Sequence, residues 1–281
     1  MIQPPAERDA IAAMGTVLGP DVLARVQSLY RAEQDGFAAT QPVAVADAAY
    51  GPHERQRLDL YTPAAPAAPV LLWVHGGGFV RGEKASDAHP YNAHVGRWAA
   101  RNWLVGAVMN YRLLPDARWP SGGEDVAAAV DWLTANVAAS GGDPARIVVA
   151  GTSAGAVHVA TALQCRLLPS TVRGAVLLSG LYGAMAPEDR DVPYLGETSP
   201  LDPARIAAAT GVPMLLACAE HDPARFQTET LALAGAVQAA SGRLPRLSVV
   251  AGHNHFSLAC HLGGNDTRLA NDILDFVETM T

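Results

Sequence analysis

A serine with a glycine two positions to either side, Gly151-Thr152-Ser153-Ala154-Gly155, stands where the apolar run Ile147–Ala150 gives way to helical spacing. A strand that turns abruptly into a helix strains the backbone at the turning residue, and flanking glycines relieve the crowding. The Ser153 hydroxyl is then expected to project above a sheet, at the positive end of the following helix. Composition alone would place such a pentapeptide in the chain about 0.09 times, so the motif is weak in isolation. His75-Gly76-Gly77-Gly78 is rarer, at about 0.007 chance occurrences. It closes a second apolar run, where backbone without side chains can aim several N–H groups at one developing negative charge. The N–H groups of Gly76, Gly77 and Ala154 would together form an oxyanion hole for attack by Ser153. The competing readings, a flexible glycine turn and a structural serine, each lose ground because the other motif is present.

A nucleophilic serine needs a base, and histidine is the usual choice near neutral pH. Nine histidines are available, so position decides. In enzymes with this elbow the order is Ser, then Asp or Glu, then His on the loop after the last strand. The last apolar run is Leu247–Ala251, and Gly252-His253-Asn254-His255-Phe256-Ser257 follows it. His255 is favoured, since an aromatic neighbour and a following helix would fix its ring; His253 is the runner-up, left to the loop's structure. A metal site at His253 and His255 lacks a carboxylate or cysteine at ligand spacing, and no metal or cofactor is expected. The acid is expected after the preceding run, Pro213–Ala219, where Glu220-His221-Asp222-Pro223 stands. Asp222 is favoured to orient the imidazole, with Glu220 as alternative.

These residues require a scaffold of strands and helices. Val70–His75, Leu104–Asn110, Ile147–Gly151, Ala175–Ser179, Pro213–Ala219 and Leu247–Ala251 read as buried strands. Glu124–Val137, Ala154–Leu168, Arg225–Ala240 and Asp266–Thr279 show helical spacing between them, the pattern of a mostly parallel sheet covered on both faces. Residues 55–61 alternate as an early antiparallel edge strand would. An amphipathic helix near Asp21–Gln34 precedes the sheet, and residues 181–210 form a proline-rich mixed segment. Both could cap the strand ends, and surface decoration suits residues 1–42 equally well. The division expected is an N-terminal helical segment, 1–42, and a catalytic domain, 43–281, with a cap insertion near 181–210.

Composition narrows the function. At 281 residues with 49% hydrophobic and 17% charged side chains, the chain can bury one large α/β core. A net charge of −7 and the lack of a basic tract argue against nucleic acid or an anionic membrane as partner. The first residues lack a basic stretch followed by an apolar one, and no run is long enough to span a bilayer. Cys165, Cys218 and Cys260, odd in number and far apart, read as reduced thiols, so a cytoplasmic location is expected.

Taken together the motifs resemble the α/β-hydrolase superfamily, and within it the hormone-sensitive-lipase-like carboxylesterases. Tyr111-Arg112-Leu113-Leu114-Pro115, with Pro120 and Glu124-Asp125-Val126, is similar to the Y-R-L-x-P segment of those esterases. Tyr50-Gly51, the stretch Arg57 to Pro63, Asp222-Pro223 with Phe226-Gln227-Thr228, and His255-Phe256-Ser257 resemble the branch of kynurenine formamidases and feruloyl-esterase-like proteins. G-T-S-A-G and H-F-S depart from the G-D-S-A-G and H-x-F usual in hormone-sensitive-lipase relatives, which bears on substrate and not on the triad. The resemblance implies an α/β-hydrolase fold with a mostly parallel eight-stranded sheet, flanking helices and a small helical cap. It also implies a serine carboxylesterase acting on small to medium acyl esters; a monomer or homodimer is expected. An arylformamidase using the same residues is the close alternative, and a non-catalytic ligand-binding homologue a remote one. Phe79, Trp119 and Tyr182 are the aromatics to place around the acyl pocket, with ordinary packing the leading alternative for each.

Overall fold

The computed structural model describes residues 2–209 and 211–280. Helices α1 (Pro5–Met14) and α2 (Pro20–Thr40) precede an eight-stranded mixed sheet. Its strands are β1 (Val45–Ala49), β2 (Arg57–Tyr61), β3 (Ala68–Val74), β4 (Val105–Met109), β5 (Gly142–Thr152), β6 (Val172–Leu178), β7 (Met214–His221) and β8 (Arg246–Asn254). They lie in the order β1-β2-β4-β3-β5-β6-β7-β8. The β1–β2 and β2–β4 pairs are antiparallel, and every pair from β4 across to β8 is parallel.

The parallel strands are apolar along their length because both faces are covered. On β3, Val70, Leu72 and Val74 enter one core with α4 (Ser121–Asn136), α5 (Ala154–Gln164) and α8 (Ala224–Ser241). Leu71 and Trp73 enter the opposite core with α3 (Ala93–Arg101) and α10 (Arg268–Met280). Between β6 and β7 lie the short helices α6 (Val192–Leu195) and α7 (Pro203–Ala209), in the segment expected to form a cap; residue 210 lies outside the described residues. On the other side α2 packs on α9 (Ser257–Cys260), the turn just beyond His255, and Gln34 Nε2 donates to the Cys260 and Leu262 carbonyls at 3.0 Å each. Among the described residues no helix is long and apolar enough to cross a membrane.

Five elements differ from the sequence expectation. The strand within residues 55–61 is antiparallel but lies inside the sheet, because β1, a mostly exposed Val-Ala-Asp-Ala-Ala run too weakly apolar to stand out, takes the edge. Helix α3 is not among the expected elements because Gly96 interrupts its propensity; the packing demands that glycine, since a Cβ there would lie 2.4 Å from Tyr61 Cδ2. Helix α1 is an addition to the expected elements, and α2 runs well past Gln34 to Thr40. Strand β8 continues to Asn254, which pairs with His221 after a register shift, so His253 belongs to the strand and not to a loop.

Candidate active site

Ser153 stands between β5 and α5 with φ 54° and ψ −121°, a conformation non-glycine residues rarely hold. Its N–H donates to the Leu178 carbonyl at 2.8 Å, anchoring the turn to β6. The turn has no spare room. A Cβ on Gly155 would sit 2.0 Å from the Val74 carbonyl oxygen, so helix and strand can meet here only over a bare backbone.

Strand β3 delivers the glycine run beside this serine. A Cβ on Gly76 would lie 3.2 Å from Ser153 Cβ, which fixes how near the two segments come. Gly77 has φ 137°, and a Cβ there would strike the Arg81 carbonyl at 1.9 Å, because the loop doubles back on itself. Ala154 opens α5, so its N–H belongs to the first turn, whose donors have no partner within the helix. The loop is held from behind. Tyr111 Oη donates to the His75 carbonyl at 2.9 Å and its ring stacks on the His75 ring at 4.4 Å. Arg55 donates to the Tyr111 and Gly82 carbonyls at 2.8 and 2.6 Å. Arg112 is bound in turn by the buried Asp125, through backbone N–H and guanidinium at 2.8 Å each. Burial pushes the His75 imidazole down to about 4 and that of His158 down to about 3, so both rings are neutral at pH 7.

Asp222 and His255 reach Ser153 in one hydrogen-bonded chain. His255 Nε2 lies 2.9 Å from Ser153 Oγ, and His255 Nδ1 lies 2.7 Å from Asp222 Oδ1. Ser153 is partly exposed, whereas Asp222 is only 1% exposed. A buried carboxylate needs donors, and Asp222 Oδ2 accepts from Ser179 Oγ at 2.5 Å and from the Ala219 N–H at 2.6 Å. The His255 ring is flanked by Phe226 at 4.3 Å and Phe256 at 5.6 Å.

The runner-up residues are engaged elsewhere. Glu220 accepts the Gly252 N–H at 2.7 Å. His253 is fully buried, with Nδ1 3.1 Å from Ser257 Oγ and Nε2 3.1 Å from Asp266 Oδ2. Burial lowers the His253 pKa against the pull of Asp266. For Asp266 burial acts upward, but hydrogen bonds from His253 and Arg268 outweigh it and hold the carboxyl well below its ordinary range. This network braces the end of β8 that leads into His255.

Of the three pocket aromatics, Phe79 is 2% exposed and stacks on Tyr194. Trp119 is partly buried and donates from Nε1 to Thr161 Oγ1 at 3.2 Å. Tyr182 is fully buried; its hydroxyl accepts the Gly180 N–H and its own N–H donates to Glu229 Oε2. Sequence reasoning gives no place in the site to Ser179, Phe226 or Glu229. Glu229 is buried and accepts three backbone N–H groups, from Tyr182, Ala184 and Met185, at 2.9 to 3.1 Å. It therefore ties the loop after β6 to α8.

Comparison with known proteins agrees with this architecture. Residues 58–166 match the BD-FAE family. Esterase LipC of Mycobacterium tuberculosis is 36% identical over 156 residues, which cover 51% of this chain and 38% of LipC. The chain thus spans well under half the length of that curated relative. A hyperthermophilic esterase from the archaeon Pyrobaculum calidifontis superposes with a TM-score of 0.68 at 20% identity, over 100% of this chain and 99% of its own. Esterase Est22 superposes with a TM-score of 0.72 at 18% identity, over 98% of both chains. The fold is the α/β-hydrolase fold.

Proposed function

We propose that this α/β-hydrolase chain is a serine carboxylesterase for small to medium acyl esters, working through an acyl-enzyme. The observation that carries the reading is the unbroken chain Ser153 Oγ, His255 Nε2, His255 Nδ1, Asp222 Oδ1, with links of 2.9 and 2.7 Å, beside the bare backbone of Gly76. Relatives named as esterases add support. In the proposed reaction Ser153 Oγ attacks the acyl carbon while His255 Nε2 takes its proton. The carbonyl oxygen becomes an oxyanion facing the N–H groups of Gly76, Gly77 and Ala154, each contributing on the order of 3 kcal/mol. Collapse expels the alcohol, which takes the proton from imidazolium. Water, deprotonated by His255, then attacks the acyl-enzyme and releases the acid. Asp222 holds the imidazole with its Nδ1–H toward the carboxylate and stabilises imidazolium as it forms. The unpaired thiols of Cys165, Cys218 and Cys260 suit a cytoplasmic enzyme.

The test is a comparison of p-nitrophenyl acetate and butyrate with N-formylkynurenine, on the parent and on Ser153→Ala. The reading expects ester turnover that Ser153→Ala abolishes. Efficient formamide cleavage with negligible ester turnover would replace it with an arylformamidase, and full turnover by Ser153→Ala would remove the serine mechanism.

A further inference from the structure

Helix α6 touches both halves of the candidate site. On one side the Tyr194 ring lies flat on the Phe79 ring, centroids 4.2 Å apart and planes 4° from parallel. Phe79 follows Gly76-Gly77-Gly78 directly and has φ 68°, a left-handed backbone that a bulky L-residue keeps only when its surroundings impose it. Its carbonyl accepts the Leu114 N–H at 2.9 Å, and its ring also meets the edge of His158 at 5.6 Å. Tyr194 is itself pinned. Its hydroxyl accepts the Gly122 N–H at 3.0 Å, its carbonyl accepts the Trp119 N–H at 3.2 Å, and Arg118 donates to the Pro193 carbonyl at 2.9 Å. On the other side Asp191, whose carbonyl accepts the Tyr194 and Leu195 N–H groups, pairs with the buried Arg225 at 2.7 Å. Arg225 stands three residues after Asp222.

We propose that Tyr194 is a positioning residue for the oxyanion loop: its ring, held by α6 between the Gly122 turn and Arg225, clamps Phe79 and thereby fixes the Gly76 and Gly77 N–H groups. The inference rests on the serine-esterase reading. Tyr194 touches no reacting atom in that reading, so its loss acts on the transition state more than on substrate capture. Once the ring is gone, Phe79 can leave its left-handed conformation and carry the glycine amides off their aim. The aromatic face makes the contact with Phe79, and the hydroxyl, which accepts the Gly122 N–H and lies 3.3 Å from His158 Nδ1, is one of the anchors that hold the ring there.

The experiment is steady-state hydrolysis of p-nitrophenyl butyrate by Tyr194→Leu, Tyr194→Phe, Phe79→Leu and the Tyr194/Phe79 double variant. Inhibition by phenylboronic acid is measured alongside, since its tetrahedral serine adduct uses the same donors. Tyr194→Leu is expected to lower kcat about tenfold or more with KM within about threefold, and to weaken the boronate in parallel. Tyr194→Phe, which keeps the stacked face and loses one anchor, is expected to lower kcat by about threefold or less, and the double variant to lose no more than the worse single one. If Tyr194→Leu does not fold, Tyr194→Met, which fills the volume without a flat face, carries the same expectations. Unchanged kcat in folded Tyr194→Leu, equal damage in Tyr194→Phe, or additive losses in the double variant would each overturn the proposal. Overturning it alone requires Ser153→Ala to be inactive in the same assay; an active Ser153→Ala takes down the serine mechanism and this proposal together.

Discussion

Replacing Ser179 with alanine tests whether the acid is held by its own shell of donors. Asp222 accepts three hydrogen bonds, from His255 Nδ1, Ser179 Oγ and the Ala219 N–H. At 1% exposure it has no solvent to replace a lost donor. A hydrogen bond to a charged group is worth about 1.5–3 kcal/mol net, so Ser179→Ala should lower unfolding stability by about 2 kcal/mol. Only part of that reaches catalysis, because the bond from His255 remains and the imidazolium exists only near the transition state. A tenfold fall in kcat, about 1.4 kcal/mol, with KM unchanged is the expected share. Converting the acid of a serine triad to its amide costs about 10⁴, which sets the ceiling. Alanine is the clean choice: Ser179 has φ 48°, and glycine would relieve that strain while removing the bond. Urea unfolding and p-nitrophenyl butyrate kinetics on one preparation measure both quantities. A variant that loses stability but keeps the parent kcat would refute the reasoning, since Ser179 would then support the fold and not the acid.

Two further outcomes follow from buried polar groups. Burial pushes the His75 and His94 imidazoles down to about 4, whereas an unfolded histidine titrates near 6.5. Between those values the unfolded chain binds more protons, so their contribution is whole above about pH 6.5 and drains as pH falls toward 4, by about 1.4 kcal/mol per unit for each ring. The buried imidazoles of His158 and His261, pushed down to about 3, act in the same direction, so urea midpoints should fall from pH 7 to pH 5 and fall less steeply in His94→Gln; a midpoint that rises toward pH 5 would contradict the sign. Glu229→Gln presents an amide donor to backbone N–H groups that now meet carboxylate oxygens, and should cost about 1–3 kcal/mol. Hydrogen exchange should quicken at residues 182–185, and unchanged protection there would show that the loop stands without this anchor.

What could be read from the sequence follows from how far apart in the chain each interaction is made. Ser153 and the glycine run are legible because their chemistry needs particular residues within five positions of one another. Asp222 and His255 are legible because each stands just past an apolar strand, in an order the elbow imposes. Strand β1 and helix α3 are not, since one is scarcely apolar and the other hides a packing glycine. Ser179 has no local signature at all. It meets Asp222 across 43 residues, and does so because β6 and β7 are parallel neighbours in a register that sets Leu178 beside Ala217 and carries the Ser179 N–H onto the Ala217 carbonyl. Tyr194 reaches Phe79 across a still longer stretch, through a four-residue helix that no periodicity announces. A usable signal for Ser179 did exist, in the expectation that these two strands lie in one parallel sheet. A hydroxyl at the end of a strand adjoining the acid's strand has few places to point, and a buried carboxylate on the next loop is the nearest group that requires a donor.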